Sequence, residues 1–122
     1  MADDTFKPTA YIKDGCPFSF KFLVFAAESG LLDDLKIVRV RDGDPSADAT
    51  KQRLSDKLGK PASFPTVEIE PDRYMSDSDK LIEHYAARVD QDIEALPVLS
   101  FYKQTIFPKL LEHHKLTSGR KS

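Results

Sequence analysis

Cys16 is the residue with the clearest capacity for chemistry, because it is the chain's one cysteine and lies between an apolar run at residues 10–12 and a helix-like run that begins at Pro17. Proline suits the first position of a helix, where its missing N–H costs nothing. The free amides and the dipole of a helix start favour an anion, so this position favours the thiolate, the nucleophilic form of cysteine. The alternative interpretation is a buried structural cysteine.

A second segment of interest is Phe64-Pro65, which precedes the alternating apolar residues Val67 and Ile69. This alternation predicts a short strand. An X–Pro bond is the peptide bond that adopts the cis form at modest cost, and a folded chain fixes that form where the backbone turns sharply. The alternative is an ordinary proline at the entrance of a strand.

A third segment is Asp77-Ser78, which precedes apolar residues at helical spacing. Those residues are Leu81, Ile82, Tyr85, Ala86 and Val89. Polar side chains at this place cap a helix, and a helix start also presents free N–H groups that can bind a carboxylate. A cap without a ligand is therefore the alternative to a binding site.

The elements that must position these segments follow the order β-α-β-α-β-β-α, an α/β fold. Their predicted bounds are residues 8–13, 17–29, 35–41, 48–58, 66–70, 73–75 and 78–89. Because a helix joins the first two strands, they should run parallel with a right-handed crossover, whereas the last two should form an antiparallel hairpin. Gly30 and Gly59 are suitable residues to end the first two helices.

Residues 91–116 are additional to that fold and rich in large apolar side chains, which predicts a helical extension of one or two pieces. Pro97 should lie at its first turn and Pro108 should kink it. The apolar stripe should dock either on the preceding domain of the same chain, which gives a monomer, or on a second copy of the chain, which gives a homodimer. The stripe consists of Leu99, Tyr102, Ile106 and Leu110. We thus expect a domain over residues 1–90 and an extension over residues 91–122, whose last six residues are polar and frayed.

Composition limits the classes of function. The 122 residues carry a net charge of −2, which gives no electrostatic case for nucleic acid or for an anionic membrane. A single cysteine fits a reducing compartment, and the start Met-Ala-Asp-Asp-Thr lacks the pattern of a signal peptide, so we expect a cytoplasmic protein. We predict no metal site, because His84 lies within a predicted helix and adjacent histidines such as His113 and His114 point in different directions around a helix.

The segment from Lys13 to Ser19 resembles the active-site turn of the glutaredoxins and of the N-terminal domain of glutathione S-transferases, which have a thioredoxin-like fold. Its Cys-Pro-Phe-Ser is similar to that of dehydroascorbate reductases, omega-like transferases and chloride intracellular channel proteins. Phe64-Pro65 and Asp77-Ser78 follow in the order that this resemblance requires, although Phe64 replaces the smaller residue usual there. The resemblance covers about residues 8–90. It does not extend to the long helical second domain that follows in the transferases.

The resemblance implies that glutathione binds as co-substrate. Pro65 would be the cis-proline that faces Cys16, and the backbone of Phe64 would pair with the cysteinyl part. Asp77 would bind the ammonium and Ser78 the carboxylate of the γ-glutamyl group. Pro17 and Phe18 would complete the binding turn, and Ser19 stands at the resolving position of dithiol relatives. Lys13 would bind the glycine carboxylate or stabilise the thiolate, or else be merely solvated.

The function that follows is a monothiol, glutathione-dependent thiol–disulfide oxidoreductase, acting on glutathionylated proteins, a small disulfide or dehydroascorbate through Cys16. One alternative is a glutathione-binding or protein-interaction module without turnover. Another, ranked lower because Pro17 stiffens the turn, is an iron–sulfur carrier in which Cys16 and glutathione from two chains hold a [2Fe–2S] cluster.

Overall fold

Four strands form one mixed sheet in the order β2-β1-β3-β4. The computed structural model describes residues 6–120, with side chains described as far as His113. The strands are β1 (Thr9–Lys13), β2 (Lys36–Val40), β3 (Thr66–Glu70) and β4 (Arg73–Ser76). β1 pairs parallel with β2 and antiparallel with β3, and β3 pairs antiparallel with β4. This is the predicted thioredoxin-like arrangement, with a parallel crossover followed by a hairpin.

Three helices cover the two faces of the sheet: α1 (Pro17–Ser29), α2 (Pro45–Leu58) and α3 (Ser78–Arg88). Neighbouring residues of a strand point to opposite faces, and β1 illustrates this. Ala10 is fully buried in the core that α1 and α3 share. Tyr11 points the other way, where its hydroxyl accepts a hydrogen bond at 3.3 Å from Arg53 of α2. α1 and α3 therefore lie on one face and α2 on the other.

The element order is as predicted, and all bounds but one agree with the prediction or differ from it by one residue. The largest difference is the start of α2, which begins at Pro45 with Asp44 as N-cap rather than at residue 48. The polar residues of this segment resemble a loop, but proline is favoured at the first helical position because its φ is already fixed near the helical value. The helix therefore begins at Pro45. Gly30 and Gly59 end α1 and α2 with φ of 82° and 71°, as predicted from their freedom to adopt the left-handed conformation.

The C-terminal extension is helical along most of its length. A short 3₁₀ turn, Ile93–Ala95, is followed by α4 (Pro97–Phe101), a π-helical turn (Tyr102–Ile106) and α5 (Phe107–Arg120). Pro97 is at the first turn of α4, as predicted. The irregularity expected at Pro108 takes the form of the wider π turn just before it, since proline cannot donate to the preceding turn.

α5 continues to Arg120, so its last turn includes residues that we expected to be frayed. The chain from residue 114 to residue 120 contains no proline, the residue that breaks a helix most strongly. The remaining part of that expectation, residues 121 and 122, lies outside the described residues.

The extension docks on its own domain, which is one of the two modes the sequence left open. Leu99 is fully buried, Leu96 and Tyr102 are 5% and 3% exposed, and both leucines belong to the main core. The Glu28 carboxylate on α1 accepts hydrogen bonds from the amides of Val98 and Leu99 at 2.7 and 2.8 Å. Half of the predicted stripe remains outside, because Ile106 and Leu110 are 39% and 38% exposed.

Candidate functional site

The strand pairing brings the three singled-out segments to one end of the sheet. Tyr11 of β1 pairs with Thr66 of β3, and Thr66 pairs in turn with Ser76 of β4. The turn that follows β1 carries Cys16. Phe64-Pro65 enters β3 and Asp77 leaves β4, so all three segments lie beside one another beyond these paired residues. The sequence spacing alone could not provide this arrangement; it comes from the antiparallel register.

Cys16 is the N-cap of α1 and is partly exposed. Its amide donates to the carbonyl of Lys13 at 3.2 Å, which closes a tight turn in which Gly15 has φ of 77°. A positive φ favours glycine, so Gly15 suits this turn. The thiol of Cys16 donates to the carbonyl oxygen of Phe64 at 3.7 Å, which joins the first and second segments directly.

The Phe64–Pro65 peptide bond is cis, as expected from the resemblance. Pro65 is fully buried and the Phe64 side chain is half-buried. The following residue, Thr66, is also fully buried, and its hydroxyl donates to the carbonyl of Ser63 at 2.6 Å. The backbone of Phe64 is thereby fixed next to the Cys16 thiol.

Asp77 caps α3, and its carboxylate accepts hydrogen bonds from the amides of Asp79 and Lys80 at 3.0 and 3.4 Å. The predicted cap is therefore present. Asp77 also has φ of 84° and ψ of 113°, a conformation that costs energy for a residue with a side chain and that clusters at functional sites. Ser78 follows it as a buried residue at the first helical position, where the backbone amide has no partner within the helix.

Two other predicted site residues have local partners. The Lys13 ammonium is 3.2 Å from the Asp42 carboxylate, and Lys51 is 2.7 Å from the same side chain. Hydrogen bonds first from Lys51 and then from Lys13 lower the pKa of Asp42. The Ser19 hydroxyl, which is buried, accepts a hydrogen bond from the Lys13 amide at 3.1 Å. Both residues therefore stabilise the turn around Cys16, and the role of Lys13 toward a ligand stays a prediction.

Lys21 and Tyr102 are neighbours of the site that the sequence analysis did not identify. Lys21 is 4% exposed although it is charged, and Tyr102 is 3% exposed. The one available signal for Lys21 was a lysine among the phenylalanines of α1. Tyr102 comes from the extension, and its hydroxyl donates to the carbonyl of Pro17. Because the two residues are 85 positions apart in the sequence, no local pattern could predict this contact.

Cys16 also lines an open cavity of about 780 Å³ on the β2 side of α1. Lys13, Asp14 and Arg39 contribute charge to its rim, and its remaining walls are mainly apolar. The main apolar residues are Phe20, Leu23, Leu32, Ile37 and Leu110. The volume suits a small molecule, and Cys16 is part of its wall.

Among the side chains of residues 6–113, no three histidine, cysteine or acidic groups are placed to hold a metal ion. None of the described helices has the combination of length and apolar character that a membrane span requires.

Comparisons with known proteins bear on the fold. No protein-family model and no curated protein matches the chain. Among solved structures, glutathione transferase Omega 3C from Trametes versicolor is similar to it, with a TM-score of 0.54 and 17% identity over 70% of this chain and 35% of that one. Glutathione transferase Omega 2C from the same fungus has a TM-score of 0.48 and 15% identity over 82% of this chain and 42% of that one.

The chain thus spans about a third of the length of the Omega 3C transferase. The described architecture agrees with this likeness, since a four-stranded mixed sheet with its helices is followed by a docked C-terminal helix. The chain has the thioredoxin-like fold of the N-terminal domain of a glutathione transferase.

Proposed function

We propose that this protein is a glutathione-binding, monothiol thiol–disulfide oxidoreductase with Cys16 as its nucleophile. The observation that carries the proposal is the contact of the Cys16 thiol with the Phe64 carbonyl, 3.7 Å away at the cis Phe64–Pro65 bond. A tripeptide that paired with the backbone of Phe64 would hold its own sulfur beside the Cys16 sulfur.

The ends of glutathione find suitable groups on the same side of the sheet. The exposed Asp77 carboxylate has the charge to bind the γ-glutamyl ammonium. The amide of Ser78 suits the α-carboxylate, because the Asp77 cap engages the amides of Asp79 and Lys80 instead. Pro17 and Phe18 form the first turn of α1 beside the cysteinyl part. Lys13 would reach the glycine carboxylate only by leaving Asp42, so we assign it a secondary role.

The proposed reaction consists of two thiol–disulfide exchanges. The Cys16 thiolate attacks the glutathione sulfur of a mixed disulfide R–S–S–G, the S–S bond breaks, and RS⁻ leaves and takes a proton. Cys16 then holds glutathione as a disulfide. A second glutathione, as thiolate, attacks the glutathione sulfur of that disulfide, which releases oxidised glutathione and regenerates the Cys16 thiolate. The substrate disulfide is reduced by two electrons, and two glutathionyl groups are joined.

A second glutathione is necessary in this scheme because the chain holds one cysteine. Ser19 stands where a resolving thiol would act, and its hydroxyl is occupied by the Lys13 amide. The cavity on the β2 side of Cys16 would receive the R group. Its apolar walls suit a substrate with an apolar leaving thiol. Arg39 at the rim is paired with the Asp14 carboxylate at 2.9 and 3.0 Å, so we assign it no role toward the substrate.

The test is a steady-state assay of glutathione-dependent reduction with three substrates: a glutathionylated peptide, a small mixed disulfide of glutathione, and dehydroascorbate. We expect turnover by the wild type with at least one of these substrates and loss of more than a hundredfold in a folded Cys16→Ser variant. Equal rates for the two proteins would contradict the role of Cys16. A wild type that binds glutathione but turns over none of the substrates would instead indicate a binding module.

A further inference from the structure

Lys21 is a buried cation five residues after Cys16 on α1, with a side chain only 5% exposed. An ammonium group removed from water needs compensating partners. Its nitrogen is 2.8 Å from an Asp79 carboxylate oxygen and lies over the Phe107 ring at 4.5 Å from its centroid. The Phe18 ring is 5.8 Å away and makes a second cation–π contact.

These partners belong to the parts of the molecule that would form the glutathione site. Phe18 lies in the turn that carries Cys16. Asp79 lies in the first turn of α3, and its amide donates to the Asp77 carboxylate at 3.0 Å. Lys21 is therefore connected to Asp77 through one residue, and it links the thiol-bearing end of α1 to the start of α3.

The exposure of the two charges shows which side chain is ordered by the pair. The Asp79 side chain is 70% exposed and would be solvated without its partner, whereas Lys21 is fixed by the packing of α1 and by two rings. Lys21 thus acts as the rigid member, to which the start of α3 is attached. Glu83, Glu94 and Lys103 line a cavity of about 480 Å³ with this pair, and none of them replaces Asp79 as the close partner of Lys21 among the described residues.

We propose that Lys21 is a positioning residue that sets the preference of the site for the γ-glutamyl group. The inference rests on the proposed function, because it assumes that Asp77 and Ser78 bind that group. If they do, the position of the α3 start relative to Cys16 decides where the glutathione sulfur lies. A displacement of about 1 Å of a reacting atom can cost about a hundredfold in rate.

The experiment compares two disulfides that differ in the γ-glutamyl group: oxidised glutathione and the disulfide of cysteinylglycine. The rate at which each forms a mixed disulfide on Cys16 is measured under single-turnover conditions. One variant is Lys21→Met, which keeps a long side chain but removes its charge. The other is Lys21→Arg, whose larger side chain has room in the adjoining cavity. The control is Lys57→Met, because the Lys57–Asp72 pair, at 2.6 Å, is a comparable pair in an exposed position.

We expect the wild type to favour oxidised glutathione and Lys21→Met to reduce that preference about tenfold or more, with the rate toward the cysteinylglycine disulfide unchanged within about twofold. Lys21→Arg should restore most of the preference, and Lys57→Met should behave as wild type. Lys21→Met should fold, because the Asp79 carboxylate that loses its partner is largely exposed and water can solvate it. Asp79→Asn removes the ion pair by changing its exposed member, and it should lower the preference for oxidised glutathione in the same way.

Equal losses with both disulfides would indicate a general defect of the fold and would overturn the positioning role. An unchanged preference in Lys21→Met and Asp79→Asn would overturn it as well, while leaving the proposed function intact. A wild type without any preference for oxidised glutathione would instead remove the γ-glutamyl site at Asp77 and Ser78, and this inference with it.

Discussion

The Tyr102 hydroxyl donates a hydrogen bond to the carbonyl oxygen of Pro17 at 2.8 Å, so the C-terminal extension contacts the residue next to Cys16. Two aromatic pairs strengthen the same contact. The Tyr102 ring meets the Phe20 ring edge to face at 5.0 Å, and the Phe107 ring meets the Phe18 ring in the same way at 5.4 Å. The extension therefore stabilises the thiol-bearing turn from its inner side.

Tyr102 and Tyr85 form a matched pair for measuring that hydrogen bond. Both are buried, but the Tyr85 hydroxyl has no hydrogen-bond partner among the described residues. Tyr102→Phe should lower the free energy of unfolding by about 1 kcal/mol, whereas Tyr85→Phe should be neutral or stabilising. Denaturant unfolding at pH 7 would compare them. Equal losses in the two variants would mean that the bond to Pro17 contributes nothing specific.

The same two tyrosines predict a loss of stability at high pH. Burial raises the pKa of each from 10.0 to about 12. The pKa of each tyrosine is higher in the folded than in the unfolded chain. The contribution of the two neutral hydroxyls to the free energy of unfolding is therefore fully present below pH 10, and it is lost as the pH rises from 10 toward 12. The free energy of unfolding should fall across this window, and less steeply in each Tyr→Phe variant. An identical slope in both variants and the wild type would exclude this cause.

The extension should also be necessary for stability. Ending the chain after Val89 removes Leu96, Leu99 and Tyr102, and each fully buried side chain of this size contributes roughly 1.5–3 kcal/mol. We expect the melting temperature to fall by roughly 10 °C or more. A chain that ends after His113 keeps these contacts and is the control. If the shorter chain melts at the wild-type temperature and stays in the same oligomeric state, the docking contributes nothing to the fold.

Local signals predicted most of the fold. The glycines that end α1 and α2, the prolines that begin α1 and α4, and the apolar periodicity act within a few residues, so the element order follows from the sequence. The start of α2 at Pro45 was missed because a polar first turn resembles a loop. The choice between docking in cis and in trans depends on packing against α1, which local periodicity does not describe.

The candidate site was predictable only as far as its motifs. Cys16, Pro65 and Asp77 were identified from residue type, order and resemblance. The partners that fix them were not, because they are distant in sequence: Asp42 for Lys13, Asp79 for Lys21, and Tyr102 for Pro17. Such contacts depend on the register of the sheet and on the path of the extension.

Asp77 and Ser78 should bind glutathione as well as cap α3. Changing both to Ala should weaken binding about tenfold to a hundredfold, since a charge-assisted hydrogen bond contributes roughly 1.5–3 kcal/mol. Titration with S-methylglutathione, which cannot exchange disulfides, followed by backbone amide shifts would report both the affinity and the segments that respond. In the wild type the three segments should respond together. An unchanged affinity in a folded double variant would leave Asp77 and Ser78 as a helix cap alone.

The central claim is that Cys16 accepts a glutathionyl group from a disulfide. Its most direct test is to mix the protein with a glutathionylated peptide in the absence of free glutathione, stop the reaction with acid and analyse the intact chain and its peptides by mass spectrometry. We expect one glutathionyl group on Cys16, released peptide thiol in equal amount, and recovery of the free thiol when glutathione is added. If Cys16 is unmodified, or instead carries the peptide rather than glutathione, the account is contradicted.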